Sequence, residues 1–336
     1  MRAVQFEQFG EPAEVLKLAD VPVPALRTGE VRVRMLASPV NPSDLMTIRG
    51  VYGKLPNLPA TPGFEGVGIV EQAGGGRFGK YLLGKRVVVL NRSSGNWCEQ
   101  TIIPARQAIP IPDVIPVDQA AMFFVNPAAA YVMTRTLLRV PPGIWLLQTA
   151  AGSALGRMVI RLGKRFGFKT FNVVRRADQV DELRALGGDA VFAFDPLNDD
   201  TSRLRDEVHR VTAKDGLRYA IDPVGGETAS AVVSCLTDGG RMLVYGTLCD
   251  EPLSFSPRTL MTHMSRVEGF WLSRWILNQS IFRRLLLVRN ISKLMREGVL
   301  ISEVGQSFPL DRISEAVRAA EQPRRHGKVL LQIAKS

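Results

Sequence analysis

Ile144-Trp145-Leu146-Leu147-Gln148-Thr149-Ala150-Ala151-Gly152-Ser153-Ala154-Leu155-Gly156 is the stretch on which the fold turns. Its first half, Ile144 to Thr149, is a short and nearly continuous apolar run, the pattern of a strand buried on both faces of a parallel sheet. Small residues follow, and from Ser153 to Phe166 the positions Leu155, Val159, Leu162 and Phe166 recur at helical spacing. A strand that passes through a small-residue turn into a helix offers unpaired N–H groups and a positive dipole end to a pyrophosphate. The glycines do not form a strict G-x-G-x-x-G, so the same residues also read as a tight βα turn without a ligand.

Downstream the alternation continues. A strand is expected at Thr170 to Val174, a helix from about Asp178 to Leu186, and further strands at Ala190 to Phe192, Tyr219 to Ile221 and Met242 to Val244. That succession is a doubly wound α/β sheet. Upstream the chain is different: short strands at Val31 to Leu36, Gly66 to Val70 and Arg86 to Leu90, punctuated by Pro and Gly. Ile109 to Pro116, with three prolines, reads as a linker into the new unit. The tail contains a helical region rich in Leu and Arg, then a strand, Lys328 to Ile333, expected to return to the first sheet.

With 336 residues the chain has room for about two domains of ~150 residues. At 46% hydrophobic and 22% charged it has the composition of an ordinary globular protein. The longest apolar run, Ala120 to Met133, is broken by Asn126 and Pro127 and is shorter than the ~20 residues of a membrane span. The N-terminus starts directly with strand-like alternation and has no leader pattern, so a cytoplasmic location is expected. Cys98, Cys235 and Cys249, like His209, His263 and His326, are scattered, which argues against a zinc site and a Ser-His-Asp site. The net charge of +11 suits a nucleic acid, a phosphorylated cofactor or an acidic protein.

Two positions carry candidate chemistry. After the second strand come Arg175 and Arg176, where a site for NAD would place an acid; two guanidiniums suit the 2′-phosphate of NADP, although Asp178 lies two positions on. Arg157, Arg161 and Lys164 line one helical stripe that reads as a solvated face. In Asn41-Pro42-Ser43-Asp44-Leu45-Met46-Thr47-Ile48-Arg49-Gly50-Val51-Tyr52-Gly53, the phenol of Tyr52 can donate a hydrogen bond or a proton, since tyrosine is protonated at neutral pH.

Together these segments resemble the zinc-free medium-chain dehydrogenase/reductase superfamily, over essentially the whole chain. Within it the resemblance runs to NADPH-dependent 2-enoyl thioester reductases of the mitochondrial trans-2-enoyl-CoA reductase type. It is carried by Asn41 to Gly53, Pro62-Gly63-Phe64-Glu65-Gly66-Val67, Val125-Asn126-Pro127-Ala128-Ala129-Ala130-Tyr131 and Gly269-Phe270-Trp271-Leu272-Ser273. Where zinc-using relatives have Gly-His-Glu, this chain has Gly63-Phe64-Glu65.

The resemblance implies a GroES-like β-rich catalytic domain (1–118 and 273–336) beside a Rossmann NADP-binding domain (119–272), with the active site in the cleft between them. It implies NADPH as cofactor, no metal, and Tyr52 as proton donor. Asn126 would lie near the nicotinamide, Gly152, Ser153, Ala154 and Leu155 at the pyrophosphate, and Arg175 and Arg176 at the 2′-phosphate. Tyr245, Gly246, Thr247 and Leu248 with Phe270, Trp271 and Leu272 would line the nicotinamide side, and Lys328 would stand near the cleft. Trp271 equally suits a core or dimer-interface aromatic. The substrate would be an acyl thioester of CoA or acyl carrier protein, and the assembly a homodimer. Thr247-Leu248 departs from the usual Gly-Met, and Gly74-Gly75-Gly76 opens an unusual loop. Rival readings are a zinc-free quinone or enone reductase, and a non-catalytic protein binding NADPH and RNA.

Overall fold

The computed structural model describes residues 1–91, 95–213 and 216–334; the last two residues of the expected tail segment lie outside it. The chain forms two compact units, Met1–Val125 with Ile301–Ser336, and Asn126–Leu300.

In the second unit the strands are Trp145–Gln148, Lys169–Val174, Ala190–Ala193, Leu217–Asp222, Leu236–Val244 and Arg266–Gly269. All pairings are parallel, in the spatial order third, second, first, fourth, fifth, sixth. This is the doubly wound order, and its switch point falls between the first and fourth strands. Continuous apolar strands make it work: Leu147, Phe171, Val173, Ala220 and Met242 are all buried in one core. The helix Ala154–Phe166 buries Leu155, Met158, Val159 and Leu162. Ser153 caps it by accepting the Gly156 N–H at 3.1 Å.

The first unit holds a mixed sheet in the order Val304–Pro309, Lys328–Gln332, Glu30–Pro39, Glu65–Ala73, Arg86–Leu90, Ala108–Pro110, with Gln100–Pro104 paired to Glu30–Pro39. The terminal strand does return to this sheet, antiparallel to Glu30–Pro39 with Leu330 opposite Pro39 and Gln332 opposite Ala37. It thereby brings the start of Lys328–Gln332 beside the residues that follow Pro39.

The unit boundaries differ from those expected. Ile109 to Pro116 is no linker: Ala108–Pro110 pairs with Val87–Val89, and Ile111 and Ile115 are buried. Proline suits such an edge strand, which needs no further ladder donor. Arg86 ties the segment in, donating to the carbonyls of Pro112 and Ile115, each at 2.7 Å. The chain crosses at Val125/Asn126 instead of 118/119, and returns at Leu300/Ile301 instead of 272/273. The helix Ile281–Arg296 stays with the second unit because Asn290 donates to the Tyr131 hydroxyl at 3.0 Å and Glu297 just beyond it pairs with Arg165 at 3.0 Å. Among the described residues, no helix is long and apolar enough to cross a membrane.

Candidate active site

Loops leaving the carboxyl ends of the parallel strands carry most of the residues expected at a cofactor. Beyond Gln148 the chain turns at Ala150, whose φ of 48° lies in the left-handed region that side chains disfavour. The turn closes through Ser153 N–H on the Ala150 carbonyl at 2.9 Å and Ala151 N–H on the Val173 carbonyl at 3.1 Å. Gly152, Ser153, Ala154 and Leu155 thus stand at the amino end of the helix, where N–H groups lack intrahelical partners. Gly156 lets the helix press on the turn: a Cβ there would sit 2.4 Å from the Ala151 carbonyl oxygen. The Gln148 amide donates to the Gly156 carbonyl at 2.9 Å and to Asn172 Oδ1 at 2.7 Å. Arg157 is not part of a solvated stripe. Its Nε donates to the Gly152 carbonyl at 3.2 Å and its Nη1 pairs with Glu182 at 2.8 Å, so it braces the turn.

Arg175 is exposed at the end of the second strand, while Arg176 is half-buried and paired with Asp178 at 3.0 Å. At the switch point the Thr149 hydroxyl donates to Asp222 Oδ1, and the Gly225 N–H donates to Oδ2 at 2.7 Å. Burial raises the Asp222 carboxyl pKa, opposed by these bonds. The sequence reading gave Asp222 no role; Asp222-Pro223 with Gly225-Gly226, directly after an apolar strand, was the available signal.

Tyr245, Gly246, Thr247 and Leu248 lie along that loop. The Tyr245 N–H donates to the Asp222 carbonyl at 2.8 Å and the Leu248 N–H to Pro223 at 3.0 Å. Tyr245 is half-buried as a residue, but its phenol end is inside; burial, then repulsion from Asp222, holds its pKa above the usual range. Thr247 and Leu248 are exposed. Phe270 is buried with its N–H on the Val244 carbonyl at 2.7 Å. Trp271 precedes the helix Leu272–Leu277, with the Arg274 guanidinium 5.5 Å from its ring centre. Five strand ends therefore converge at one edge of one sheet. Asn126 is half-buried in the first turn of Val125–Tyr131.

Tyr52 belongs to the first unit. The helix Pro42–Arg49 starts at Asn41, whose N–H is held by Asp44 Oδ2 at 2.8 Å, with proline in the first turn. Gly50 ends it at φ 80°, a conformation glycine adopts without a Cβ penalty. Tyr52 follows, half-buried, its ring centre 5.6 Å from that of Phe64.

Behind these residues lies a buried polar cluster. Asp44 Oδ1 accepts the Phe64 N–H at 3.0 Å. Glu65 Oε1 accepts from Asn41 Nδ2 at 3.1 Å, and Oε2 from the N–H groups of Phe124 and Val125 at 3.1 and 2.9 Å. Lys328 Nζ donates to Asn41 Oδ1 and to the Val40 carbonyl at 3.5 Å. Lys328, which the resemblance puts near the cleft, is 4% exposed, and its amine is bound to this cluster. Burial pushes the Asp44 carboxyl up to about 7, raises that of Glu65, and pushes the Lys328 amine down to about 8, the last opposed by attraction to Glu65. Asn41, Asp44 and Glu65 lie in the segments singled out by sequence, but the reading gave them no role. Among the described residues, no three His, Cys, Asp or Glu side chains are grouped as metal ligands would be.

A GroES-like sheet completed by the chain's last strand, joined to a doubly wound sheet with a phosphate-type turn, defines a two-domain dehydrogenase architecture. Residues 27–113 match the alcohol dehydrogenase GroES-like domain, and residues 154–288 the zinc-binding dehydrogenase family. The chain is 33% identical over 329 residues to the mitochondrial enoyl-[acyl-carrier-protein] reductase of Rattus norvegicus, covering 96% of this chain and 86% of that one. A candidate NADPH:quinone reductase from Bacillus thuringiensis superposes with a TM-score of 0.90 at 31% identity, over 99% of each chain. The mitochondrial 2-enoyl thioester reductase heterodimer of Candida tropicalis shares the fold, with a TM-score of 0.86 at 23% identity over 98% of this chain and 99% of that one. The chain belongs to the medium-chain dehydrogenase/reductase superfamily, within the branch that contains these enoyl reductases.

Proposed function

We propose that this protein uses NADPH to reduce the 2,3 double bond of 2-enoyl thioesters. The observation that carries the reading is Tyr52, held half-buried against Phe64 after a glycine-terminated helix, in a chain whose curated relatives are named enoyl reductases. The strand ends fit the cofactor. Gly152 to Leu155 would take the pyrophosphate at the helix end, Arg175 and Arg176 the 2′-phosphate, and Tyr245 to Leu248 with Phe270 to Leu272 the nicotinamide side, Asn126 lying near it. When bound, NADPH supplies hydride to the β-carbon of the thioester. Tyr52 either donates its proton to the α-carbon or hydrogen-bonds the thioester oxygen as negative charge develops there.

An anionic carrier, CoA or acyl carrier protein, suits the net charge of +11 and the stretch from Gly269 to Arg296, which has Arg274, Arg283, Arg284, Arg289, Lys293 and Arg296 and no Asp or Glu. A homodimer suits the strand Arg266–Gly269, which ends the sheet and is paired on one side in the described residues; light scattering in solution tests it. The three free cysteines suit the cytoplasm, which imaging of a tagged chain tests.

The functional test is NADPH oxidation with crotonyl-CoA and a longer 2-enoyl-CoA, beside a quinone. Saturable turnover on thioesters is expected, falling ~10²–10⁴-fold in Tyr52→Phe while NADPH still binds. Near-normal turnover in that variant overturns the role of Tyr52. Turnover on the quinone alone favours the second reading, a quinone or enone reductase, which the Bacillus thuringiensis structure supports.

A further inference from the structure

We propose that the outward face of the helix Ile281–Arg296 is a docking surface for an anionic lipid bilayer, seating the second unit on a membrane as a peripheral protein. The inference goes beyond the reduction proposed above and does not depend on it.

A helix packed on a globular unit turns one apolar stripe to the core and a polar face to water. This helix does the first, burying Leu287, Ile291, Leu294 and Met295. On its other side the first two turns break the rule: Ile281, Phe282, Leu285 and Leu286 are 60%, 80%, 60% and 56% exposed. Their spacing, one adjacent pair followed by another a turn later, makes them one ridge. Leu277, also exposed, ends the preceding helix, Leu272–Leu277, just before it. Scattered apolar residues at a surface need no explanation, but a contiguous ridge marks a face that is covered in use.

The remainder of that face is basic. Arg289, Lys293 and Arg296 continue it toward the carboxyl end at helical spacing, all exposed, and Arg283 and Arg284 flank the ridge. Between Gly269 and Arg296 there is no Asp or Glu. The first acid beyond, Glu297, is taken up by Arg165 at 3.0 Å and Lys293 at 3.8 Å. Arg283 and Arg289 have no carboxylate partner among the described residues. One face that is apolar at one end and cationic at the other is what an interfacial helix presents: hydrocarbon enters the acyl boundary, and the arginine stems reach back to lipid phosphates. The charge selects the occupant. A second copy seated on this face would set the same arginines against each other, and like charges oppose that. An acidic protein would answer the cations, but the four bulky side chains stand out from the surface and would need a matching pocket. A bilayer takes them without one.

The test is sedimentation of the full chain with vesicles of phosphatidylcholine alone, or mixed with phosphatidylglycerol in equal parts. Binding to the mixed vesicles is expected, at least ~10-fold tighter than to the neutral ones and weakened by salt. Phe282→Ser with Leu285→Ser, folded by circular dichroism, should bind at least ~10-fold more weakly. Arg283→Gln with Arg289→Gln should lose most of the preference for anionic vesicles and keep the weak binding to neutral ones. No binding to the mixed vesicles, or binding by the Phe282→Ser, Leu285→Ser variant equal to the parent's, overturns the inference. Absent vesicle binding with Phe282-dependent self-association in light scattering would assign the face to a second copy. Absent vesicle binding with Phe282-dependent retention on acyl carrier protein would assign it to an acidic protein; either overturns the lipid reading. If the double variant does not fold, Phe282→Ser alone runs the same comparison. None of these outcomes bears on NADPH oxidation by the parent, which tests the reaction separately.

Discussion

Each unit contains a buried polar cluster, and the two clusters are built differently. In the second unit, Gln148, Asn172 and Asp222 sit on three strands adjacent in the sheet, and Thr149 follows the first of them. They bind each other and the turn backbone, and one carboxylate is the only acid among them. In the first unit, Asp44, Glu65 and Lys328 bring two carboxyl groups and an amine around one amide, Asn41. The first arrangement shapes backbone for a ligand; the second holds side chains in place and carries charge whose balance depends on pH. Damage to the second unit should therefore appear as lost cofactor affinity, and damage to the first as lost turnover.

The largest effect expected on the cofactor side comes from Arg175→Ala with Arg176→Ala. Two charge-assisted hydrogen bonds removed should weaken NADPH ~100-fold and leave NADH binding unchanged, read by titration of cofactor fluorescence. Arg175 should contribute more than Arg176, which already pairs with Asp178. A fall in kcat at saturating cofactor would blur the division of labour between the units.

Thr149→Val comes next. It leaves one Asp222 oxygen buried without its donor, and should cost about 1–3 kcal/mol in denaturant unfolding while weakening NADPH. An unchanged stability would mean that the switch-point bond is idle and the strand ends need no polar core.

Asp44→Asn gives the sharpest contrast. Because burial raises the Asp44 carboxyl from 3.8 to about 7, the folded state binds a proton that the unfolded chain has released. That contribution to stability is present at low pH and is lost as pH rises through about 4 to 7. The stability of Asp44→Asn relative to the parent should therefore improve across that window, by at most about 1.4 kcal/mol per pH unit. Urea unfolding at a series of pH values measures it, and a flat difference would remove the pH-dependent character assigned to this core.

Much of this was legible in sequence because it is local. The apolar run from Ile144, the Ser153 cap and the helical spacing to Phe166 each rest on neighbours a few residues apart, and the structure has them within a residue or two. The boundaries were not legible. The prolines of Ile109 to Pro116 look the same in a linker and in an edge strand, and only Arg86 and the partner Val87–Val89 decide between them. Arg157 looked like part of a solvated stripe because its partner Glu182 comes from the next helix.

By itself, then, the sequence determined the two kinds of sheet, the turn that can meet a phosphate, and a tyrosine with a proton to give. The tertiary structure alone decided that Lys328 faces inward to Asn41, 287 positions away, and that Asp222 meets Thr149 at the switch point. Periodicity and capping are properties of a segment, whereas the partner of a buried charge is chosen by how distant strands pair, and no local pattern encodes that choice.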